Sequence, residues 1–361
     1  MNVLHIDEQA GWRGGELQTS WIVKGLADRG HRVAIAGRKA GAFLRHDHGI
    51  DALNRIAAPF VGEFDPWTVA KLARAVRQYD IDILHAQTSH AHTYACLARA
   101  LAGRGKVVVS RRVSFTPRDH RLNRWKYAMP DRFIAVSQHV AEVLLEYGVN
   151  PGKVRVVHSS VDLGRLDVDP LPREALAVPE GVPLIGSVGA LVGHKDHANL
   201  IAAMPMVLSE LPDVHLVIAG DGELRPPIEA QIAKLGIENR VTLLGHREDA
   251  PRVLKALDAY VSSSWSEGLG TSVLEALACG VPVVATVAGG VPEMVMDEET
   301  GLLVPARDPE RLAAAIGRML RDKDLAAAVT VNGQKHVRDH FTVDKMVEGN
   351  IGVYEEVGSE E

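Results

Sequence analysis

Residues 259–286 constrain this chain more than any other stretch of it. The apolar run Ala259-Tyr260-Val261 ends in Ser262, Ser263 and Ser264, which reads as the carboxyl end of a strand. Gly268 and Gly270 then bracket a turn, and residues 271–279 are apolar on a helical period. Gly280 and Pro282 supply the stop signal for that helix. Residues 281–285 form a short β-branched run suited to a buried parallel strand. A strand, a glycine turn and a helix start make a site for a phosphate or a sugar. The first helical turn leaves backbone N–H groups without intrahelical partners, and the positive dipole end attracts anionic oxygens. Glu267 precedes the helix, and Glu275 sits inside Val273-Leu274-Glu275-Ala276-Leu277-Ala278. An acid in so apolar a setting needs a partner or a ligand.

The order Ser-x-Ser-Glu-Gly-x-Gly-x-x-x-Leu-Glu-Ala-x-Ala-Cys-Gly-x-Pro-Val-Val-Ala-Thr over residues 264–286, followed by Gly289-Gly290-Val291-Pro292-Glu293, resembles glycosyltransferase family 4. The resemblance implies a retaining, nucleotide-sugar-dependent enzyme of GT-B fold, with two doubly wound α/β Rossmann-like domains facing across a cleft.

A length of 361 residues favours two domains. Apolar residues at 46% and charged residues at 24% describe ordinary globular material. Cys96 and Cys279 lie in apolar stretches of opposite halves and read as core residues of a reducing compartment. The amino terminus carries Asp7 and Glu8 where a signal peptide needs a basic segment, and no run approaches a membrane span. These features predict a cytoplasmic protein. The net charge of −6 hides an asymmetry: residues 1–170 carry 24 Lys plus Arg against 17 Asp plus Glu, and the remainder 16 against 29. A basic first half suggests that it meets something anionic.

Residues 3–6 read as a first strand, followed by Gly11, Gly14 and Gly15, a helix over 16–29 and a strand over 32–36. The loop lacks the Gly-x-Gly-x-x-Gly dinucleotide pattern, so hydride chemistry is unsupported. By the resemblance, Gly14 and Gly15 lie near the donor phosphates and the acceptor. A strand over 81–84 leads into His85-Ala86-Gln87-Thr88-Ser89-His90-Ala91-His92. Strand ends of open α/β sheets face the ligand crevice, so His85 and His90 are candidate catalytic residues. Gln87 stands where the family often has a His. His90 and His92 do not share a helical face, which argues against a metal. Asp80 and Asp82 sit at the wrong end of their strand for a metal-diphosphate pair, and no metal or other cofactor is expected. After the strand at 106–110, Arg111, Arg112, Arg118, Arg121, Arg124 and Lys126 surround Phe115 and Trp125. This stretch suits an anionic acceptor or peripheral contact with an anionic membrane on its cytoplasmic face. Nucleic acid is the weaker option, because the domain is not strongly basic.

Residues 162–183 read as a linker, which divides the chain into 1–168, completed by a last helix over about 341–361, and 169–340. The second domain opens with 184–189 and Ala190-Leu191-Val192-Gly193-His194-Lys195, where the family shows an Arg and then a Lys that hold the diphosphate. Lys195 is present, and Ala190 replaces the Arg; His194, Arg13 and Arg247 are candidate substitutes. By the resemblance Glu275 takes the ribose hydroxyls and Lys195 neutralises the leaving diphosphate. Glu267, Gly268, Leu269, Gly270 and Thr271 hold the sugar, while Gly189, Gly220 and Arg247 line the nucleotide shelf. The implied reaction moves a hexose-type sugar from a UDP-sugar, or next a GDP-sugar, to a glycan or glycolipid hydroxyl in cell-envelope polysaccharide or lipopolysaccharide synthesis. Another GT-B enzyme, such as an epimerase, and an inactive sugar-nucleotide-binding subunit are the alternatives.

Overall fold

In a computed structural model, which describes residues 1–359, the chain divides into two units. The first comprises residues 1–160 with the last helix from Val343, and the second residues 161–342. Both are parallel sheets wrapped by helices, as the alternation of short β-branched runs and amphipathic helices dictates.

The first unit runs β1 (Asn2–Ile6), α1 (Gly14–Asp28), β2 (Arg32–Arg38), α2 (Ala42–Arg45), β3 (Asn54–Ala58), α3 (Pro66–Gln78), β4 (Ile83–Ala86), α4 (Ser89–Ala102), β5 (Lys106–Arg111), α5 (Arg121–Ala128), β6 (Arg132–Ala135), α6 (Gln138–Glu146) and β7 (Val154–Val156). Its sheet order is β3-β2-β1-β4-β5-β6-β7, parallel throughout. The order reverses direction between β1 and β4, and a doubly wound sheet opens its ligand crevice at the carboxyl ends there. Local chemistry sets the helix starts. Asp65 caps α3, accepting from the Trp67 N–H at 3.1 Å with Pro66 in the first turn, and the Thr88 hydroxyl caps α4 from the Ala91 N–H at 3.1 Å.

The second unit runs β8 (Leu184–Val188), α7 (His197–Glu210), β9 (His215–Ala219), α8 (Arg225–Leu235), β10 (Val241–Gly245), α9 (Ala250–Lys255), β11 (Ala259–Ser262), α10 (Thr271–Ala278), β12 (Val283–Thr286), β13 (Leu302–Val304), α11 (Pro309–Arg321) and α12 (Lys323–His340). Its sheet order is β10-β9-β8-β11-β12-β13, so its switch point lies between β8 and β11. The helix α13 (Val343–Ser359) belongs to the first unit. Gly25 of α1 leaves room for it: a Cβ there would come within 2.5 Å of the Val347 side chain. Met346, Val353, Tyr354 and Val357 enter the same core as Val3, Ile22 and Leu26. Each such side chain contributes about 1.5–3 kcal/mol of burial, which fastens the end of the chain to its beginning.

Three expectations change. The strands β3 and β13 were not legible, and the strand expected at 81–84 lies two residues later, because Ile81 and Asp82 precede the ladder. Residues 162–183 are no free linker. Leu166, Leu171, Leu176 and Val178 are buried, and the Leu171 N–H donates to the Arg252 carbonyl at 3.0 Å. The division therefore falls between residues 160 and 161, eight residues earlier than the composition suggested.

Candidate functional site

In the second unit the ends of β8, β11 and β12 bring together residues spread over a hundred positions. Glu267 follows β11 and is buried; its Oε1 accepts from Lys195 Nζ at 2.6 Å and from the Ser264 hydroxyl at 2.7 Å. The lysine side chain is 20% exposed and the glutamate 9%, so the pair sits at the lip of the site and not in open water. Gly189 lies under Lys195, with a hypothetical Cβ 3.5 Å from Cε. Trp265 pins the loop that carries the lysine: its backbone N–H donates to the His194 carbonyl and its indole Nε1–H to the Gly193 carbonyl, both at 2.9 Å. The Arg307 guanidinium lies over the Trp265 ring, 4.8 Å from its centroid.

Glycines are required where backbones meet. At Gly289 (φ +55°) a Cβ would stand 1.9 Å from the Glu267 carbonyl oxygen, and at Gly220 one would stand 1.8 Å from that of Gly189. Gly270, φ +105°, turns the chain into α10, whose first turn presents Thr271 and Ser272; the Tyr260 hydroxyl donates to Ser272 Oγ at 3.0 Å. One turn on, Glu275 is half-buried. Its pKa is raised, chiefly by burial, against a smaller lowering from Arg165 of the segment read as a linker. No hydrogen bond reaches its carboxylate among the described residues. This is a carboxylate with its acceptor capacity open, next to a helix start, a cation and a set of glycine-cleared approaches.

Of the replacement cations proposed for Ala190, Arg247 is committed to Asp249 through two bonds of 2.8 and 2.7 Å. His194 is exposed, with a pKa lowered first by partial burial, which disfavours its cationic form. Arg13 is exposed ahead of α1. Among the described residues no group of three His, Cys, Asp or Glu side chains is arranged to hold a metal ion.

The carboxyl edge of the first sheet carries a second cluster. Asp7 follows β1, Gln87 follows β4 and Arg112 follows β5, with Gly14 and Gly15 opening α1 beside them. Burial raises the Asp7 pKa to about 7, with Glu16 and Glu8 adding to the rise. Arg112 donates to Gln87 Oε1 at 3.0 Å, and Gln87 Nε2 is 3.1 Å from His5 Nδ1. His85 is a correction to the catalytic set. It is fully buried, with Nδ1 2.6 Å from the Tyr354 hydroxyl and Nε2 2.8 Å from Ser110 Oγ, so both nitrogens serve the core. His90 is half-buried on α4 and lies 3.6 Å from both Glu8 and Glu63. The basic stretch separates likewise. Arg111 is buried, bonded to the Tyr127 hydroxyl at 3.1 Å and to the Phe115 carbonyl. Lys126 is buried and donates to the Ser89 carbonyl at 2.6 Å. Neither is a surface cation. Arg118, Arg121 and Arg124 are exposed, with Arg124 paired to Asp119 at 2.6 Å. Sequence reasoning missed Asp7 and the pairing of Gln87 with Arg112; their shared position one residue past a strand end was the available signal.

Residues 169–336 match the family model described as Glycosyl transferases group 1, and residues 12–165 the one described as Glycosyltransferase Family 4. A D-inositol 3-phosphate glycosyltransferase of Salinispora tropica is 33% identical over 253 residues, 64% of this chain and 52% of that protein. The lipopolysaccharide core biosynthesis glycosyltransferase LpsE of Rhizobium meliloti is 32% identical over 199 residues, 55% of this chain and 57% of LpsE. The chain thus spans little more than half the length of these two curated relatives. The crystal structure of Anabaena HepE in complex with UDP-glucose superposes with a TM-score of 0.85 at 26% identity, covering 99% of this chain and 100% of HepE.

Proposed function

The chain belongs to glycosyltransferase family 4, of GT-B fold, and from that premise we propose that it transfers a hexose-type sugar from a nucleoside-diphosphate sugar. The donor is a UDP-sugar in preference to a GDP-sugar. The acceptor is a glycan or glycolipid hydroxyl, in cell-envelope polysaccharide or lipopolysaccharide synthesis. Configuration is retained, and no metal ion or other cofactor takes part. The observation that carries this reading is the Lys195–Glu267 contact of 2.6 Å beside the open first turn of α10.

Negative charge develops on the departing diphosphate. The Lys195 ammonium and the α10 dipole would stabilise that charge, which is the electrostatic form of catalysis. The ammonium must exchange Glu267 for a phosphate oxygen, which frees the Glu267 carboxylate to accept from sugar hydroxyls. Glu275, open and raised in pKa, gains two charge-assisted hydrogen bonds from ribose hydroxyls and is stabilised as a carboxylate by them. The first unit is assigned to the acceptor.

Thermal unfolding against a panel of nucleotides and sugar nucleotides, with and without chelator, tests this. A ligand at 100 times its Kd adds about 2.7 kcal/mol. A chelator-insensitive gain with UDP, lost in Glu275→Ala, supports the donor site; no gain with any nucleotide refutes it. Binding without transfer to any acceptor points to an inactive partner subunit. Peripheral contact with an anionic bilayer is supported by Phe115, Leu122 and Trp125, exposed at 65, 73 and 54% beside Arg118 and Arg121. Among the described residues no helix is long and apolar enough to cross a membrane. Failure to co-sediment at low salt with phosphatidylglycerol vesicles rules the contact out.

A further inference from the structure

Arg112 is half-buried, and among the described residues no carboxylate lies within ion-pair distance of it, although Asp7 and Glu16 act on it from further away. Among the described residues its guanidinium makes one hydrogen bond, at 3.0 Å, to the uncharged side chain of Gln87. Its Nε is sealed from solvent without a partner. A cation drawn out of water is ordinarily paired, because leaving it unpaired costs several kcal/mol. Burial lowers the Arg112 pKa to about 10, and Asp7, Glu16 and Tyr354 offset that lowering only in part.

The neighbours hold the guanidinium in one orientation. His5 is fully buried, and burial drives its pKa down to about 3, so the ring is neutral. A neutral ring whose Nδ1 accepts from Gln87 Nε2 at 3.1 Å orients that amide with Oε1 toward Arg112. The Arg112 δ-methylene lies beside Gly15, where a Cβ would sit 3.8 Å away. Gly14 and Gly15 begin α1, a helix of 15 residues, and no hydrogen bond engages their N–H groups among the described residues. A preset guanidinium without an anion therefore lies next to a helix start at the switch point of the sheet.

We propose that Arg112, oriented by Gln87 and flanked by the Gly14–Gly15 turn, binds a phosphate or carboxylate group of the acceptor, so that the acceptor is an anionic molecule. This rests on the assignment of the first unit to the acceptor made above. It separates Arg112 from the exposed arginines of the bilayer-facing stretch: those meet headgroups, and Arg112 reads one substrate anion by its planar fork.

The test uses the full chain with the donor site filled by saturating UDP, titrated with inorganic phosphate at constant ionic strength and followed by thermal unfolding. Phosphate is expected to stabilise the wild type. Arg112→Gln is expected to need at least about tenfold more phosphate for the same gain, the loss of one charged contact. Arg112→Lys should fall between the two, since it keeps the charge and loses the fork. UDP affinity unchanged in both variants shows that they fold. The proposal is overturned if the wild type is indifferent to phosphate or if Arg112→Gln responds as the wild type does. It is also overturned if UDP affinity falls in parallel with the phosphate response, since the anion would then be the donor's diphosphate. Failure of the donor reading is visible separately, as a wild type that UDP does not stabilise.

Discussion

The exchange assigned to Lys195 gives an asymmetric prediction for two neighbouring residues. The lysine Nζ lies 2.6 Å from Glu267 Oε1, and Glu267 keeps a second bond of 2.7 Å from Ser264. Lys195→Ala removes the cation that would meet the diphosphate. A hydrogen bond to a charged group contributes about 1.5–3 kcal/mol, so UDP should bind roughly 10- to 150-fold more weakly. The same change leaves a carboxylate that is only 9% exposed with one hydroxyl partner, at a cost of about 1–3 kcal/mol in stability. Glu267→Gln acts differently. It preserves shape and the Ser264 contact, removes the competitor for the ammonium, and should leave UDP affinity at or above the wild-type value while transfer of the sugar falls. Isothermal titration with UDP, well below the unfolding temperature of every variant, separates affinity from stability. A double-mutant cycle adds the sign: Lys195→Ala should cost more affinity when combined with Glu267→Gln, where the lysine is no longer shared, than it does alone. If Lys195→Ala binds UDP within twofold of the wild type, or Glu267→Gln loses as much affinity as Lys195→Ala, the lysine is only a structural partner of the glutamate and the proposed mechanism fails.

Three further outcomes follow from geometry already described. Gly289→Ala places a methyl group 1.9 Å from the Glu267 carbonyl in a φ +55° conformation, so the loop must move; weaker UDP binding and a lower unfolding temperature are expected, and wild-type values for both would refute the close approach. Tyr354→Phe removes the hydroxyl 2.6 Å from His85 Nδ1 and should cost about 1–3 kcal/mol in urea unfolding with donor and acceptor KM unchanged; a loss of kcat without loss of stability would return His85 to the chemistry. The pKa of Asp7 is raised from 3.8 to about 7, so between those values the unfolded chain has released a proton that the folded chain keeps. Stability from this group is greatest below about pH 4 and falls through pH 7, by at most about 4 kcal/mol. Asp7→Asn should flatten that fall, which urea midpoints from pH 4 to 8 would measure.

Several elements of both units were legible because their signals are local. Asp65-Pro66 and Asp308-Pro309 announce α3 and α11, each with an aspartate cap and a proline in the first turn. The turn from Gly268 to Gly270 and the apolar period after it mark α10 in the same way. β3 escaped because Asn54 and Arg55 open an edge strand with one covered flank, so that no apolar run announces it.

Side-chain destinations were legible only where one strand end decides them. Arg111 and Arg112 are adjacent in sequence and in charge, and a linear reading puts both in one basic surface. Successive residues at the end of a strand point to opposite faces of its sheet. Arg111 goes to Tyr127 of α5 on one side, and Arg112 to Gln87 and the start of α1 on the other. His85 is a stronger instance, because the hydroxyl that engages it arrives with α13, 269 residues later. Charge count and spacing identify which residues are available to a site. Which of two adjacent arginines supports a loop and which is left facing a substrate depends on partners that the chain supplies from distant elements. For that reason the standing of Arg112, with no carboxylate at ion-pair distance among the described residues, emerges only once its neighbours have been placed.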